Sequence, residues 1–387
     1  MNSRERFNSV MGFDLETKNL KCEYGYWVST VLRFINEGMP VFKELPQNLI
    51  LNGNINGYPK VDPGSSEVPD ENIRQVFDLD PYIAKMPFDL SPQLKEEIIS
   101  EDEHFKVYKD KYGIKLKARK DGTSAPLDLD FPLKNDDDFE NYKDYYDNDF
   151  NKRLPKDWEN IKKDLKNRDF PLRLGGNPYG FLGFPRHLMG TTSLFMNYYD
   201  NPGLIKKINE FFLNYVMSYW DKFLSHVEVD CILIFEDMAF KSGSMVSKEI
   251  FNEFMKPYYL KLVDFLKQYG IKNIIVDSDG FVEELIPLFI ECGITGMLPF
   301  EIAAGNDLIK IRKNYPDFQL LGGIDKRILF AEKKEAEINL ELEKVKALLS
   351  KGGYIPHIDH LVSEDATWKN FTYYRNSLNR IIEKKDY

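Results

Sequence analysis

Cys231-Ile232-Leu233-Ile234-Phe235-Glu236-Asp237 is a short apolar run closed by two acids, and runs of this kind occur four more times before the C-terminus. Ile274-Ile275-Val276 leads into Asp277-Ser278-Asp279-Gly280, and Met297-Leu298-Pro299-Phe300 into Glu301. Leu320-Leu321-Gly322-Gly323-Ile324 leads into Asp325-Lys326, and Tyr354-Ile355-Pro356-His357-Ile358 into Asp359-His360. Short continuous apolar runs suit parallel strands buried on both faces. Segments of helical period separate them, so the order is β-α-β-α and the fold class is α/β. In a closed parallel barrel the C-terminal strand ends converge on one mouth, here lined with carboxylates.

Working outward, residues 202–224 carry Leu204, Ile208, Phe211, Phe212, Tyr215 and Tyr219 at helical spacing after Asn201-Pro202. Ser247 caps a further helical pattern ending at Gly270, which Pro257 should kink or split. Helices are also expected over 1–11, 30–37, 282–292, 307–313 and 327–350. Residues 45–75 show no convincing element, and 170–189, rich in Gly and Pro, read as a long βα loop. Over 104–133, turn signals and alternation predict an antiparallel meander, an accessory insertion over the barrel mouth. Residues 134–168 are charged and Tyr-rich with helical spacing in places, and most of that charge reads as a solvated face.

With 387 residues the chain can bury a large core, and its net charge of −10 argues against a nucleic-acid or anionic-membrane partner. Cys22, Cys231 and Cys292 are far apart without a C-x-x-C, so a reducing, cytoplasmic setting is expected. The first residues lack the apolar core of a signal peptide, and no apolar stretch approaches the roughly 18 residues of a membrane span. No P-loop, G-x-G-x-x-G, H-E-x-x-H or G-x-S-x-G is present.

The motifs Asp277-Ser278-Asp279-Gly280, Pro299-Phe300-Glu301-Ile302-Ala303-Ala304-Gly305, Gly322-Gly323-Ile324-Asp325-Lys326 and Gly352-Gly353-Tyr354-Ile355-Pro356-His357-Ile358-Asp359-His360 resemble the uroporphyrinogen decarboxylase superfamily. Glu23-Tyr24-Gly25-Tyr26-Trp27 and Gly183-Phe184-Pro185-Arg186-His187-Leu188-Met189-Gly190 add to the resemblance, which is weaker over 45–165. It implies a (β/α)8 TIM barrel, a single domain over 1–387 with an accessory segment at about 45–165. Members include porphyrinogen decarboxylases and methyltransferases that work with corrinoid proteins or thiols. The decarboxylases' Arg-rich N-terminal clamp is reduced here to Arg33 within residues 23–33. The thiol branch's His-x-Cys pair is replaced by Asp277-Ser278-Asp279, and no Cys follows Cys292. What remains resembles methyltransferases of anaerobic O-demethylation systems, which pass a methyl group from an ether or amine to a corrinoid protein.

This resemblance implies methyl transfer from a small methylated substrate, an aryl methyl ether among the candidates, to a corrinoid held by a partner protein. Decarboxylation of a tetrapyrrole or other carboxylated substrate is an alternative, and predicts that Arg33, Arg168, Arg173 and Arg186 converge on the mouth. A non-catalytic tetrapyrrole-binding or assembly protein is the third reading. The candidate catalytic residues are Asp237, Glu301, Asp325, Lys326, Asp359 and His360. Of the adjacent Glu236 and Asp237 only one side chain can face inward, and Asp237 is preferred. Tyr24, Tyr26, Trp27, Phe184, Arg186 and His187 are candidate substrate contacts. Asp277, Asp279 and His357 are candidate ligands for a divalent metal, zinc first among them.

Overall fold

The computed structural model describes residues 1–44, 70–87, 89–120, 126–146 and 149–384. The chain opens with the helix Ser3–Met11, capped by Asn2, whose side chain accepts the Glu5 N–H while Glu5 reaches back to the Asn2 N–H. A second helix, Val28–Asn36, covers the expected 30–37. The helix Glu71–Phe77 corrects the reading of 45–75 as structureless, whereas residues 45–69 lie outside the described residues.

Strand β1 (Ala84–Lys85) is followed by the antiparallel meander β2 (Glu97–Glu101), β3 (Phe105–Lys109), β4 (Lys115–Arg119) and β5 (Leu127–Asp130). The expected turn at Asp121-Gly122 falls outside the described residues. Two helices, Asp136–Lys143 and Trp158–Lys166, occupy the stretch read as a solvated face. Their apolar side chains face inward, with Phe139, Tyr142, Tyr146, Trp158 and Leu165 buried in the main core.

Next come β6 (Leu172–Gly176), β7 (Cys231–Phe235), a small hairpin β8 (Ala239–Phe240) and β9 (Gly243–Ser244), then β10 (Ile274–Ser278), β11 (Gly296–Pro299), β12 (Gln319–Leu321) and β13 (Tyr354–Ile355). The main sheet has the order β1-β6-β7-β10-β11-β12-β13, every neighbour parallel. All five acid-tipped runs are therefore adjacent strands, as expected. The residues read as one long βα loop contain β6 and the helix Gly183–Met189. Pro257 does split its helix, into Lys248–Phe254 and Lys256–Gln268.

The gap between β13 and β1 is spanned by an extended stretch around residues 19–27. It accepts the Asp80 N–H at Lys21, receives the Ile358 N–H on the Glu23 carboxylate, and bridges in parallel from Tyr26 to Val362. Seven regular strands and this irregular eighth position make the TIM-barrel-like fold. A buried ion pair holds the seam: Arg375 meets Glu23 at 2.7 Å, and the Tyr374 hydroxyl donates to the same carboxylate.

The barrel interior has its own apolar cluster. Cys231, Leu233, Ile275, Leu298, Leu321 and Ile355 point inward and pack on Phe7, Val10 and Met11. The first helix thus plugs the end of the barrel where strands begin, opposite the acid-bearing end. Leu172, Leu174, Ile232, Ile234 and Val276 face the surrounding helices instead. This is the period-two alternation of strands buried on both sides.

Candidate active site

The alternation that sends Ile275 inward also sends Asp277 inward, one step nearer the mouth. Asp277 pairs in register with Phe235 and Leu298 and is only 7% exposed. Around it lie the rings of Tyr24, Tyr82 and His357. The Tyr24 hydroxyl sits 3.4 Å from Asp277 Oδ2, and its ring stacks on His357 with centroids 5.8 Å apart. Tyr82 meets Tyr24 edge-on, and its hydroxyl lies 3.2 Å from His357 Nε2. Burial, then the neighbouring carboxylates Asp279 and Asp237, push the Asp277 carboxyl well above its ordinary range, against the opposing pull of Arg173. The balance favours the protonated form of Asp277 over that of a free carboxyl.

One turn of backbone further, Asp279 and His360 form a pair at 3.5 Å. Burial alone would lower the His360 pKa, but the Asp279 carboxylate outweighs it and the net shift is upward. The Asp279 N–H donates to Asp237, whose carboxyl is raised by burial and by Asp279. Arg186 donates to the Asp237 carbonyl at 2.5 Å and lies 3.8 Å from its carboxylate. Glu301 accepts the Gly280 N–H and meets Lys326 at 3.4 Å, and both contribute to the field at His360. Asp237, Asp277, Asp279, Glu301, Lys326, Arg186 and His360 thus form one contiguous network at the open end of the barrel.

Other expected residues take different places. Asp359 is fully buried and accepts the N–H groups of Ile302 and Lys326 at 2.7 and 3.1 Å. It ties together the loops that carry Glu301 and Lys326, and burial raises it to about 7. Asp325 turns to Arg327, which it grips with both oxygens while capping the turn Lys326–Leu329, so it faces the outer rim. Burial would raise Asp325, but Arg327 holds it below its ordinary value. Tyr26 packs against Phe371 in the main core, and Phe184 stacks on Phe212 at 4.5 Å, both away from the barrel interior. These two were expected to touch substrate; their rings are instead consumed by packing between strands and helices. Trp27 stands at the head of the helix Val28–Asn36. His187 meets the Tyr112 ring edge-on at 4.5 Å, and burial lowers its pKa to about 4, so it is neutral.

The metal expectation does not fit this geometry. His357 is fully buried with both ring nitrogens engaged, one by Tyr82 and the other by the Ile358 carbonyl at 2.8 Å. Among the described residues no group of three or more His, Cys, Asp or Glu side chains is disposed to hold a metal ion.

Three features go beyond the roles read from the sequence, where Arg173 entered only as a candidate arginine of the decarboxylase reading. Arg173, between Leu172 and Leu174, projects inward and is only 7% exposed, close enough to influence Asp277, Tyr24 and Tyr82. Its alternation with two leucines was the available signal. Tyr82, just before β1, had none. Glu236 faces the opposite way from Asp237 and accepts the N–H groups of Phe181, Leu182 and Gly183 and the Tyr259 hydroxyl. A side chain at Gly180 or Gly183 would put Cβ within 2.1 or 2.2 Å of the Phe235 carbonyl, so glycine is needed for this loop to seat on the end of β7.

A family model described as uroporphyrinogen decarboxylase (URO-D) matches residues 107–380. Among solved structures, a methyltransferase from Methanosarcina mazei is similar with a TM-score of 0.53, over 92% of this chain and 99% of that one. The two sequences are 14% identical, so the likeness is one of fold. No curated protein matches the sequence. No helix among the described residues is long and apolar enough to cross a membrane.

Proposed function

The chain belongs to the uroporphyrinogen decarboxylase family, and on that premise we propose that it is a methyltransferase moving a methyl group from a small methylated donor to a corrinoid carried by a partner protein. The observation that carries this reading is Asp277, a buried carboxyl of raised pKa set among Tyr24, Tyr82 and His357 at the acid-bearing end of the barrel. Removing a methyl group from an ether leaves an oxygen that must gain a proton. A buried acid of raised pKa supplies that proton where water cannot.

The reduced corrinoid acceptor supplies the nucleophile for the methyl carbon. The protein's own residues bind the donor and manage the proton. Asp277 donates to the leaving heteroatom, and the Tyr24 hydroxyl steadies the carboxylate that results. His360, kept cationic by Asp279 over a wider pH range than a free histidine, offers a route for returning the proton to Asp277. The acidic rim formed by Asp237, Asp279 and Glu301 repels a substrate bearing many carboxylates.

Decarboxylation remains the second reading because two of its four candidate arginines, Arg173 and Arg186, do lie at this end of the barrel. The other two do not. Arg33 pairs with Glu37 on its own helix, and Arg168 pairs with Asp230, ahead of β7 at the plugged end. The decisive experiment mixes the protein, a panel of methyl ethers and methylamines, and a corrinoid protein in the cob(I)alamin state, and follows the corrinoid spectrum. Methylcobalamin should appear with at least one donor and fail to appear with Asp277→Ala. Loss of carboxyl groups from a porphyrinogen, with no methyl transfer from any donor, would establish the second reading instead.

A further inference from the structure

The hydrogen bonds around His357 run in one direction. The ring is fully buried, and its Nδ1 lies 2.8 Å from the Ile358 carbonyl oxygen. A carbonyl only accepts, so Nδ1 carries a proton. Burial lowers the ring's pKa to about 4, with the Ile358 bond opposing that shift and Arg375 adding to it. Near neutral pH the ring therefore holds one proton, and Nε2 keeps its lone pair. The Tyr82 hydroxyl, 3.2 Å from Nε2, must then be the donor. Turning the ring over would set carbon atoms against both partners and leave both bonds unmade.

Packing holds the ring in this place. A Cβ on Gly322 would come within 3.0 Å of His357 Cε1, and the Tyr24 ring stacks on the imidazole at 5.8 Å, 13° from parallel. Tyr82 meets both rings edge-on, at 5.7 Å from Tyr24 and 5.3 Å from His357. A phenol has one proton. With that proton on His357, the Tyr82 oxygen can only accept from the rest of the pocket. Tyr24, its hydroxyl 3.4 Å from Asp277 Oδ2, is left as the phenol able to donate to Asp277. The charged groups facing Asp277 are Asp279 just past the same strand, Asp237 after β7, Arg173 in β6 and His360 after β13, while its register partners Phe235 and Leu298 are apolar. Asp277 in turn acts on Tyr82 through space.

We propose that His357 is a positioning residue: by taking the Tyr82 proton it turns Tyr82 into an acceptor and withholds a second hydrogen-bond donor from Asp277. What this does for catalysis rests on the methyltransferase reading. Each N–H or O–H aimed at the Asp277 carboxylate would favour the ionised form before a methyl donor arrives. His357 removes one such group, and Tyr82 in its accepting state favours the acid. His357 thus acts on the reaction through Tyr82 and Asp277 without touching the substrate.

Two NMR measurements on the full-length protein test this without turnover. In the 15N-histidine-labelled wild type, the His357 signals, assigned through cross-relaxation with the Tyr24 ring, should show hydrogen bound to Nδ1 and a bare Nε2 near neutral pH. This reading needs no substitution, and a proton on Nε2 or on both nitrogens overturns the proposal. The second measurement follows the Asp277 carboxyl titration with 13C-aspartate labelling. His357→Phe keeps a ring against Tyr24 and frees the Tyr82 proton, so the Asp277 midpoint should fall by about one pH unit. Adding Tyr82→Phe to His357→Phe should return the midpoint to its wild-type place, which mere loosening of the pocket would not do. No fall in His357→Phe, or a fall that the second substitution leaves in place, overturns the proposal. The two readings fail separately. Both NMR results as expected, without methyl transfer to any corrinoid protein, remove the methyltransferase and keep the positioning role. A proton on Nε2 in an enzyme that transfers methyl groups does the reverse.

Discussion

The barrel wall from Cys231 onward and the segments before it are built on different physics. The later strands carry apolar side chains toward both the helices and the interior, and their cohesion is chiefly burial. The earlier ones put charge inside: Arg173 in β6, and Glu23 in the stretch that closes the barrel, where Arg375 neutralises it. The later half brings acids to strand ends by repetition. The earlier half supplies Tyr24 and Tyr82 around Asp277 and the cations Arg173 and Arg186 beside those acids. The acids and the groups that modulate them thus come from separable parts of one chain, and each part can be broken alone.

Breaking the chemical part should have the largest effect. Asp277→Asn keeps the size of the side chain and removes the acid, so methyl transfer should fall by about 10²–10⁴-fold with donor binding retained; an active Asp277→Asn enzyme would remove Asp277 from the reaction. Next is the joint between the two parts. Glu236 is fully buried and holds three backbone N–H groups of the β6 loop. Glu236→Ala should cost about 3 kcal/mol of stability, read as a lowered denaturant midpoint; an unchanged midpoint would mean the loop seats without it.

The pH dependence sharpens the comparison. The proposed reaction needs Asp277 protonated, and its pKa is raised, so kcat should persist above the pH at which an ordinary aspartate loses its proton and fall as pH rises through the raised pKa. A rate that climbs with pH across the same range would instead mark Asp277 as a base. Stability has its own sign. Asp359 titrates at about 7 in the folded protein and near 4 when unfolded, so the folded state binds the extra proton between those values. Its contribution is present at low pH and is lost as pH rises from about 4 to 7. Asp359→Asn should flatten that slope in denaturant titrations.

The smallest effect belongs to the rim. The Asp325–Arg327 pair is partly exposed and turned away from the network, so Arg327→Ala should change stability by less than about 1 kcal/mol and leave kcat within twofold. A large kinetic loss there would show that the turn Lys326–Leu329 positions Lys326 through this pair.

Much of this division was legible in the chain. Short apolar runs ending in acids gave adjacent parallel strands, Pro257 split its helix, and the alternation after residue 104 gave the meander. β6 was hidden because Arg173 and two glycines interrupt its apolar signal, and the helix Glu71–Phe77 because it follows a stretch rich in Pro and Gly. Tyr26 and Phe184 were misplaced because aromatic residues beside a motif read alike whether they line a cavity or fill the core.

By itself the sequence determined the order of elements and the types of group at the strand ends, because hydrophobic period and turn chemistry act over a few residues. Only the tertiary structure decided directions. Asp237 has φ of +47°, in the left-handed region, and lies on the mouth side while Glu236 turns to the β6 loop. The enclosure that raises the Asp277 pKa likewise comes in part from residues some 250 positions away, Tyr24 among them. Burial and field depend on what the closed barrel brings within a few ångströms, and no local pattern along the chain encodes that.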